Sequence, residues 1–337
     1  MGWLSDMVWD RGERLRAGWR VALQLGMWLT LSAAINVVLG GPLAAGLLAR
    51  FPAMGTGIVQ LGFVLSTCLG AIVSTAMAVR WLDLRPFAEL GLHVDRNWWV
   101  DLAFGLGLGA GLMTLVFLAE WLCGWVTVRG VFQVTSGELP FAVAILGPIL
   151  AFVAVGFYEE LIFRGYQLRN LAEGLNQPAI GPGLAIAYSW IVSSALFGLL
   201  HVFNPDSSWV STLNLAFAGL WLGLGYVLTG SLAIPIGLHI TWNLFQGNVF
   251  GFPVSGIDYS GATVFAIEQS GPPAWTGGSF GPEAGLIGVI AILVGVVLTL
   301  GWVRWRYGAV DFHWPLATYR PPADPCSSDQ VRGDQPT

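Results

Sequence analysis

The chain has 337 residues, of which 55% are hydrophobic and only 10% are charged, and its mean hydropathy is +0.67. This composition is far more apolar than that of a soluble domain, so it predicts a membrane protein. All fifteen basic residues are arginines and the net charge is −5, so the sequence offers no basic surface of the kind that binds nucleic acid.

Eight apolar stretches have roughly the 20 residues that a helix needs to cross a bilayer. They lie at residues 19–40, 55–79, 98–125, 139–163, 183–203, 209–229, 231–252 and 284–303. The first lacks the short apolar region and the small-residue cleavage site of a signal peptide, so we expect it to stay as an anchor. The pattern predicts an all-α, polytopic membrane protein with about eight transmembrane helices.

The sequence is predicted to have four parts within one bundle. Residues 1–125 hold three helices, residues 139–252 hold four tightly linked helices, and residues 284–303 form the last helix. Residues 316–337 contain almost nothing apolar to bury, which predicts a disordered tail. The Gly-, Ser- and Pro-rich segment 253–283 is expected to be a loop.

The distribution of arginines predicts the orientation of the helices. With the N-terminus in the cytoplasm, only Arg50 and Arg129 lie outside. The cytoplasmic arginines are then Arg11, Arg14, Arg16, Arg20, Arg80, Arg85, Arg96, Arg164, Arg169, Arg304, Arg306, Arg320 and Arg332. We therefore expect a multi-pass protein of the cell membrane with both termini in the cytoplasm.

Polar side chains interrupt three of the apolar stretches. A carboxylate or histidine inside a bilayer costs several kcal/mol, so each is a functional candidate. The candidates are Glu159, Glu160 and Arg164 in the fourth stretch, Phe197 and His201 ("FGLLH") in the fifth, and His239 and Asn243 ("HITWN") in the seventh. His239 and Asn243 are four residues apart and share one helix face, so both can point at one cavity.

The spacing also distinguishes the two glutamates. Arg164 follows Glu160 by four residues, the favourable order for an acid and a base on one helix, so Glu160 is predicted to pair with Arg164 and Glu159 to be free. A turn near Ile180 lies midway between Glu159 and His201, so two antiparallel helices would bring them level. However, counting residues along the apolar stretch that begins at residue 183 places His201 near the outer face of the membrane. For His201 to lie level with Glu159, both helices would have to project beyond the inner membrane surface.

Each group also has a simpler interpretation. The two glutamates could form a solvated helix end, His201 could be interfacial, and His239 with Asn243 could hydrogen-bond between helices. The three groups in this order, however, resemble the motifs EE-x3-R, F-x3-H and H-x3-N of the CAAX-protease and bacteriocin-processing (CPBP, Abi) family of intramembrane endopeptidases. The similarity covers about residues 139–252.

The resemblance implies a cavity between helices 4 to 7 in which Glu159 activates water for attack on a peptide carbonyl. His201 and His239 would then polarise the carbonyl or bind a metal, and Asn243 would help to hold the oxyanion. Glu159, His201 and His239 could also bind Zn²⁺ with an open position. The sequence leaves the metal-dependent and the metal-free mechanism open.

Candidate substrates are a peptide or a membrane-protein segment, with or without a lipid anchor, and membrane lipid is the expected surrounding. Two other functions stay open. A non-catalytic immunity or scaffold protein could keep the same fold, and a proton-coupled transporter could use the same buried groups. A transporter would predict inverted repeats, and the sequence contains no such symmetry.

Overall fold

The computed structural model describes residues 9, 14–52, 55–135, 139–259 and 261–319. Its main helical segments are α1 (Ala17–Arg50), α2 (Gly55–Trp81), α3 (Arg96–Leu122), α4 (Phe141–Leu175), α5 (Gly181–Leu200), α6 (Trp209–Thr229), α7 (Ala233–Leu244) and α8 (Leu286–Tyr307). A π-helical turn, Asn36–Gly40, interrupts α1. The prediction of an all-α, multi-pass membrane protein is confirmed.

Seven of these helical segments, rather than the eight predicted, are long and apolar enough to cross a membrane in the described part of the chain. The exception is α7, which has 12 residues and continues into a five-residue π-helical turn, Phe245–Val249. Most of its side chains are buried inside the bundle. The apolar stretch at 231–252 therefore reflects burial among other helices as much as contact with lipid.

Helix α4 is much longer than the apolar stretch that predicted it. It has 35 residues, and a π-helical turn, Leu161–Leu168, interrupts it just after the two glutamates. Every residue of that turn is buried, including Arg164. At about 1.5 Å per residue the span is longer than the roughly 30 Å hydrocarbon core. The glutamates thus lie near the middle of α4 and not at its inner end.

A two-stranded ribbon lies at one end of the bundle, and the sequence did not predict it. Strand β1 (Val126–Val134) follows α3 and pairs antiparallel with β2 (Ala262–Gln269), which lies in the segment expected to be a loop. We call this the ribbon end. Following the chain, α4 and α6 start at the ribbon end, whereas α3, α5 and α7 run toward it.

The opposite end, the arginine end, is held together by buried ion pairs. Arg20 on α1 lies 2.7 Å from Asp83, and Arg85 lies 2.7 Å from Glu173 near the end of α4. Arg169 also pairs with Glu173. These contacts fix α1 and the segment after α2 to the last turns of α4.

The disordered tail was predicted to begin at residue 316, which is too early. Trp314–Ala317 form a 3-10 turn in which Leu316 and Ala317 are buried, so these residues are packed against the bundle. The expected disorder of residues 320–337, and the predicted positions of Arg11, Arg320 and Arg332, lie outside the described residues.

Glycines let α7 pack directly against the backbone of α3. A Cβ atom on Gly105 would lie 2.4 Å from the Ile234 carbonyl oxygen, and one on Gly237 would lie 2.4 Å from that of Leu102. Such small residues allow helices to approach closely in membranes. Because α7 also carries His239 and Asn243, this packing positions half of the candidate site.

We expect Gly105→Ala to destabilise the protein by about 1–3 kcal/mol, because the new methyl group overpacks the contact between α3 and α7. Gly107→Ala is the matched control, since no atom lies within 4 Å of a Cβ at Gly107 on the same helix. Thermal unfolding of the detergent-solubilised variants measures the difference. Equal melting temperatures for the two variants would contradict this account of the packing.

Candidate active site

A cavity of about 330 Å³ lies between α4, α5, α6 and α7, and α1 and α2 also contribute to its wall. Glu159, His201, His239 and Asn243 all line it. Its wall is otherwise mostly apolar, with contributions from Trp28, Phe63, Val64, Phe152, Val155, Leu215, Trp221 and Leu222. The structure thus brings the four candidate residues from three helices into one apolar enclosure.

Glu159 presents a carboxylate oxygen without a partner to this cavity. Its side chain is 13% exposed, and Oε1 accepts a hydrogen bond from the Tyr158 hydroxyl at 3.2 Å. Oε2 is buried and has no hydrogen-bond partner among the described residues. It lies 3.8 Å from His239 Nε2, which is too far for a direct hydrogen bond. A buried acceptor of this kind is costly, which makes it a candidate for chemistry.

Glu160 has two partners, whereas the sequence predicted one. Its Oε1 atom accepts from Arg164 Nη1 at 2.9 Å, which is the predicted pair. The same atom contacts His239 Nδ1 at 2.8 Å. Assigning Glu160 to Arg164 alone was therefore wrong, because a contact between α4 and α7 leaves no trace in the spacing along one helix. Glu160 thus supplies His239 with a carboxylate that orients its ring.

The hydrogen bonds of the two histidines define which ring nitrogen is left for the cavity. His201 Nδ1 lies 2.8 Å from the Phe197 carbonyl oxygen, which can only accept, so Nδ1–H donates. By the same reasoning His239 Nδ1–H donates to the Glu160 carboxylate. In both rings Nε2 is the nitrogen left for a reacting molecule.

Phe197 packs against both histidines. Its ring centroid lies 4.8 Å from that of His201 and 6.1 Å from that of His239, and the Arg164 guanidinium lies 4.6 Å above its face. Arg164 in turn donates to the Gly219 carbonyl on α6 at 2.9 Å. Phe197 and Arg164 therefore tie the helices of the site together, in keeping with a supporting role.

A segment beyond α7 covers the cavity, and sequence reasoning missed it. This segment, residues 253–259, which we call the roof, contributes Ser255 and Tyr259 to the lining. Glu283 holds the roof, because its Oε1 accepts from Ser255 N–H at 2.5 Å and from the Ser255 hydroxyl at 2.7 Å. Burial raises the pKa of the Glu283 carboxyl, and these hydrogen bonds oppose the increase. Burial also raises the pKa of Tyr259 to about 12, with a smaller contribution from Glu159.

Two weak signals of the roof are present in the sequence. They are the aromatic Tyr259 and the acid Glu283 in segment 253–283, which also offers other aromatic and acidic residues, Asp258, Phe265, Glu268, Trp275 and Phe280. Neither side chain lies at a helical spacing from the motifs, so no periodic pattern connected them to the cavity. The roof could be assigned only from contacts distant in sequence.

The three predicted zinc ligands share the cavity but do not form a ligand set. Among the described residues, no three His, Cys, Asp or Glu side chains come together in a group that could hold a metal ion. His201 and His239 each leave one nitrogen for the cavity. Because the described His, Cys, Asp and Glu side chains form no group of three that could hold a metal ion, these residues do not fit a zinc centre.

Comparison with protein-family models gave one match, Type II CAAX prenyl endopeptidase Rce1-like, over residues 141–245. This segment is similar to the Rce1-like family. The match confirms the family to which the motifs were similar. The matched segment contains all seven motif residues and most of α4 to α7, and it covers less than half of the chain. Comparisons with curated proteins and with solved structures gave no match.

Proposed function

We infer that the protein is an intramembrane endopeptidase that hydrolyses a peptide bond of a membrane-associated peptide or protein. The observation that supports this most directly is the Glu159 carboxylate. Its Oε2 atom is buried, has no partner among the described residues and faces His239 inside the cavity. The similarity of residues 141–245 to the Rce1-like family supports membrane endopeptidase activity at the level of the family.

Glu159 is the proposed general base. It takes a proton from water as the water oxygen bonds to the carbonyl carbon of the substrate. The same proton then passes from Glu159 to the leaving nitrogen as the C–N bond breaks. The hydrogen bond from Tyr158 holds Oε1, which leaves Oε2 to receive the proton.

The other candidate residues act on the water and on the carbonyl oxygen. His201 Nε2 accepts the second hydrogen of the water and so orients it. Asn243 donates an amide N–H to the oxyanion of the tetrahedral intermediate. His239 polarises the carbonyl from Nε2 in its protonated form, and the Glu160 carboxylate next to Nδ1 balances that charge.

The shape and chemistry of the cavity suggest the substrate. Its wall carries several large apolar side chains, among them Phe63, Phe152 and Trp221. Such a wall favours an apolar stretch of a membrane-associated peptide or of a membrane protein, with or without a lipid anchor. We also propose that the protein lies in the cell membrane with both termini in the cytoplasm, which is the orientation that the arginines favour.

Hydrolysis by purified protein in lipid vesicles tests this function. The substrates are a library of vesicle-tethered peptides with apolar centres, and mass spectrometry identifies the cleaved bond. Cleavage by the wild type, lost in Glu159→Gln, supports an endopeptidase. Binding without cleavage by either protein would instead favour a scaffold, and peptide-independent proton flux across the vesicles would favour a transporter.

We expect detergent-purified protein to contain less than stoichiometric zinc, because its candidate ligands do not form a metal-binding group in the described residues. Elemental analysis measures the metal, and hydrolysis is assayed after chelation and after zinc is returned. Any ion should exchange freely. Stoichiometric zinc that survives purification, with activity that chelation removes, would contradict this prediction.

A further inference from the structure

The candidate cavity lies at the ribbon end of the bundle. His201 begins the 3-10 turn that ends α5 at that end, and the roof at residues 253–259 leads into strand β2. Leu215 and Ala218, which also line the cavity, lie in the first half of α6, which starts at the ribbon end. From the sequence, α4 and α5 were expected to project beyond the inner membrane surface so that Glu159 and His201 could lie level. This is unnecessary, because α4 continues well past Glu159 and places it near the middle of the helix.

Exposed aromatic residues mark a membrane interface close to this cavity. Phe203 is 86% exposed and lies two residues after His201, and Trp209 is 76% exposed at the start of α6. Exposed tryptophans also mark the arginine end, at Trp81 and Trp305. Aromatic residues concentrate at the two membrane surfaces, so His201 lies just inside the surface at the ribbon end.

The two ends differ in their exposed basic charge. Arg16, Arg80, Arg96 and Arg304 are exposed at the arginine end. At the ribbon end, Arg50 is exposed and Arg129 is paired with Glu268. Because basic residues are retained on the cytoplasmic side, the arginine end belongs in the cytoplasm and the ribbon end faces the other side of the membrane.

We propose that the cavity is entered from the non-cytoplasmic side, and that the substrate is a peptide segment exposed on that side. This proposal rests on the proposed function for the identity of the substrate, but the direction of entry stands on the position of the cavity alone. The roof covers this route. Asn204 donates to the Ser255 carbonyl at 2.9 Å and Gln60 donates to that of Asp258 at 3.4 Å, so entry displaces the roof from α2 and from the turn after α5.

Cysteine accessibility tests the direction of entry without any need for turnover. The background is the full-length chain with Cys68, Cys123 and Cys326 replaced by alanine. Ala218→Cys reports on the cavity wall, Thr127→Cys on the exposed face of the ribbon, and Asp311→Cys on the arginine end. Ala172→Cys is the matched buried control, because Ala172 is fully buried and does not line the cavity. The probe is a membrane-impermeant sulfonated methanethiosulfonate, added to right-side-out and to inverted membrane vesicles.

We expect Thr127→Cys and Ala218→Cys to be labelled in right-side-out vesicles and to lose labelling in inverted vesicles. Asp311→Cys should behave in the opposite way, and Ala172→Cys should stay unlabelled in both. Labelling of Ala218→Cys only in inverted vesicles, or its protection in both while Thr127→Cys reacts, would overturn the proposal. If the labelling is as expected but no peptide is cleaved, the proposed function fails and the direction of entry stands.

Discussion

Replacing Glu159 by glutamine should abolish peptide hydrolysis and leave the protein folded. The amide keeps the shape of the side chain and can still accept from Tyr158, but it cannot take a proton from water. A positioned general base contributes about 10²–10⁴-fold to the rate, so we expect at least that loss of kcat. Because Oε2 has no hydrogen-bond partner among the described residues and lies 3.8 Å from His239 Nε2, the substitution breaks no direct hydrogen bond of that oxygen and should lower the melting temperature little.

Glu268→Gln is the control for the loss of a carboxylate. Glu268 lies on the ribbon with its side chain 61% exposed, in a surface pair with Arg129, and such pairs contribute about 0–1 kcal/mol. This variant should keep wild-type turnover. Hydrolysis is measured in vesicles, with the folded fraction determined by size-exclusion chromatography. Turnover by Glu159→Gln close to that of the wild type would show that another group removes the proton from water.

The sequence predicted the contacts that depend on helical periodicity. The Glu160–Arg164 pair follows from their spacing of four residues, and the salt bridge is present. The shared face of His239 and Asn243 follows in the same way, and both line the cavity. In each case one helix determines the geometry, so knowledge of its neighbours was unnecessary.

Contacts between distant segments could not be predicted in this way. His239 binds Glu160 across 79 residues, and Glu283 binds Ser255 from another loop. Their positions depend on how the helices pack, and that packing is decided by features such as the close approach at Gly105, which no periodic pattern describes.

The predicted length of α4 was too short for a different reason. Arg164 and Arg169 were interpreted as the end of the apolar stretch, because an arginine is costly in a bilayer. Both lie within α4 and are paired, with Glu160 and Glu173 respectively. A hydropathy scale assigns an arginine the same value whether or not a neighbouring carboxylate neutralises its charge. A helix with buried ion pairs therefore looks shorter in the sequence than in the structure.

Glu160 has a mixed role, and a second substitution can separate its two parts. Its side chain is fully buried and its Oε1 atom contacts both Arg164 and His239. Glu160→Gln leaves the Arg164 charge buried without its counter-charge, and breaking a buried pair in this way costs about 3–5 kcal/mol. The neutral amide also holds the His239 ring less firmly, so we expect lower turnover in the fraction that folds.

The double variant Glu160→Leu/Arg164→Met removes both charges together. Replacing a buried ion pair by apolar residues is often nearly neutral for stability, although here the Gly219 carbonyl loses the donor that Arg164 supplied. We therefore expect the double variant to recover most of the melting temperature that Glu160→Gln loses. It should not recover turnover, because His239 Nδ1 still lacks its carboxylate.

Thermal unfolding and kcat, measured on the same preparations, give the two readouts. If the double variant regained both stability and turnover, Glu160 would only neutralise Arg164, and its contact with His239 would have no part in the reaction.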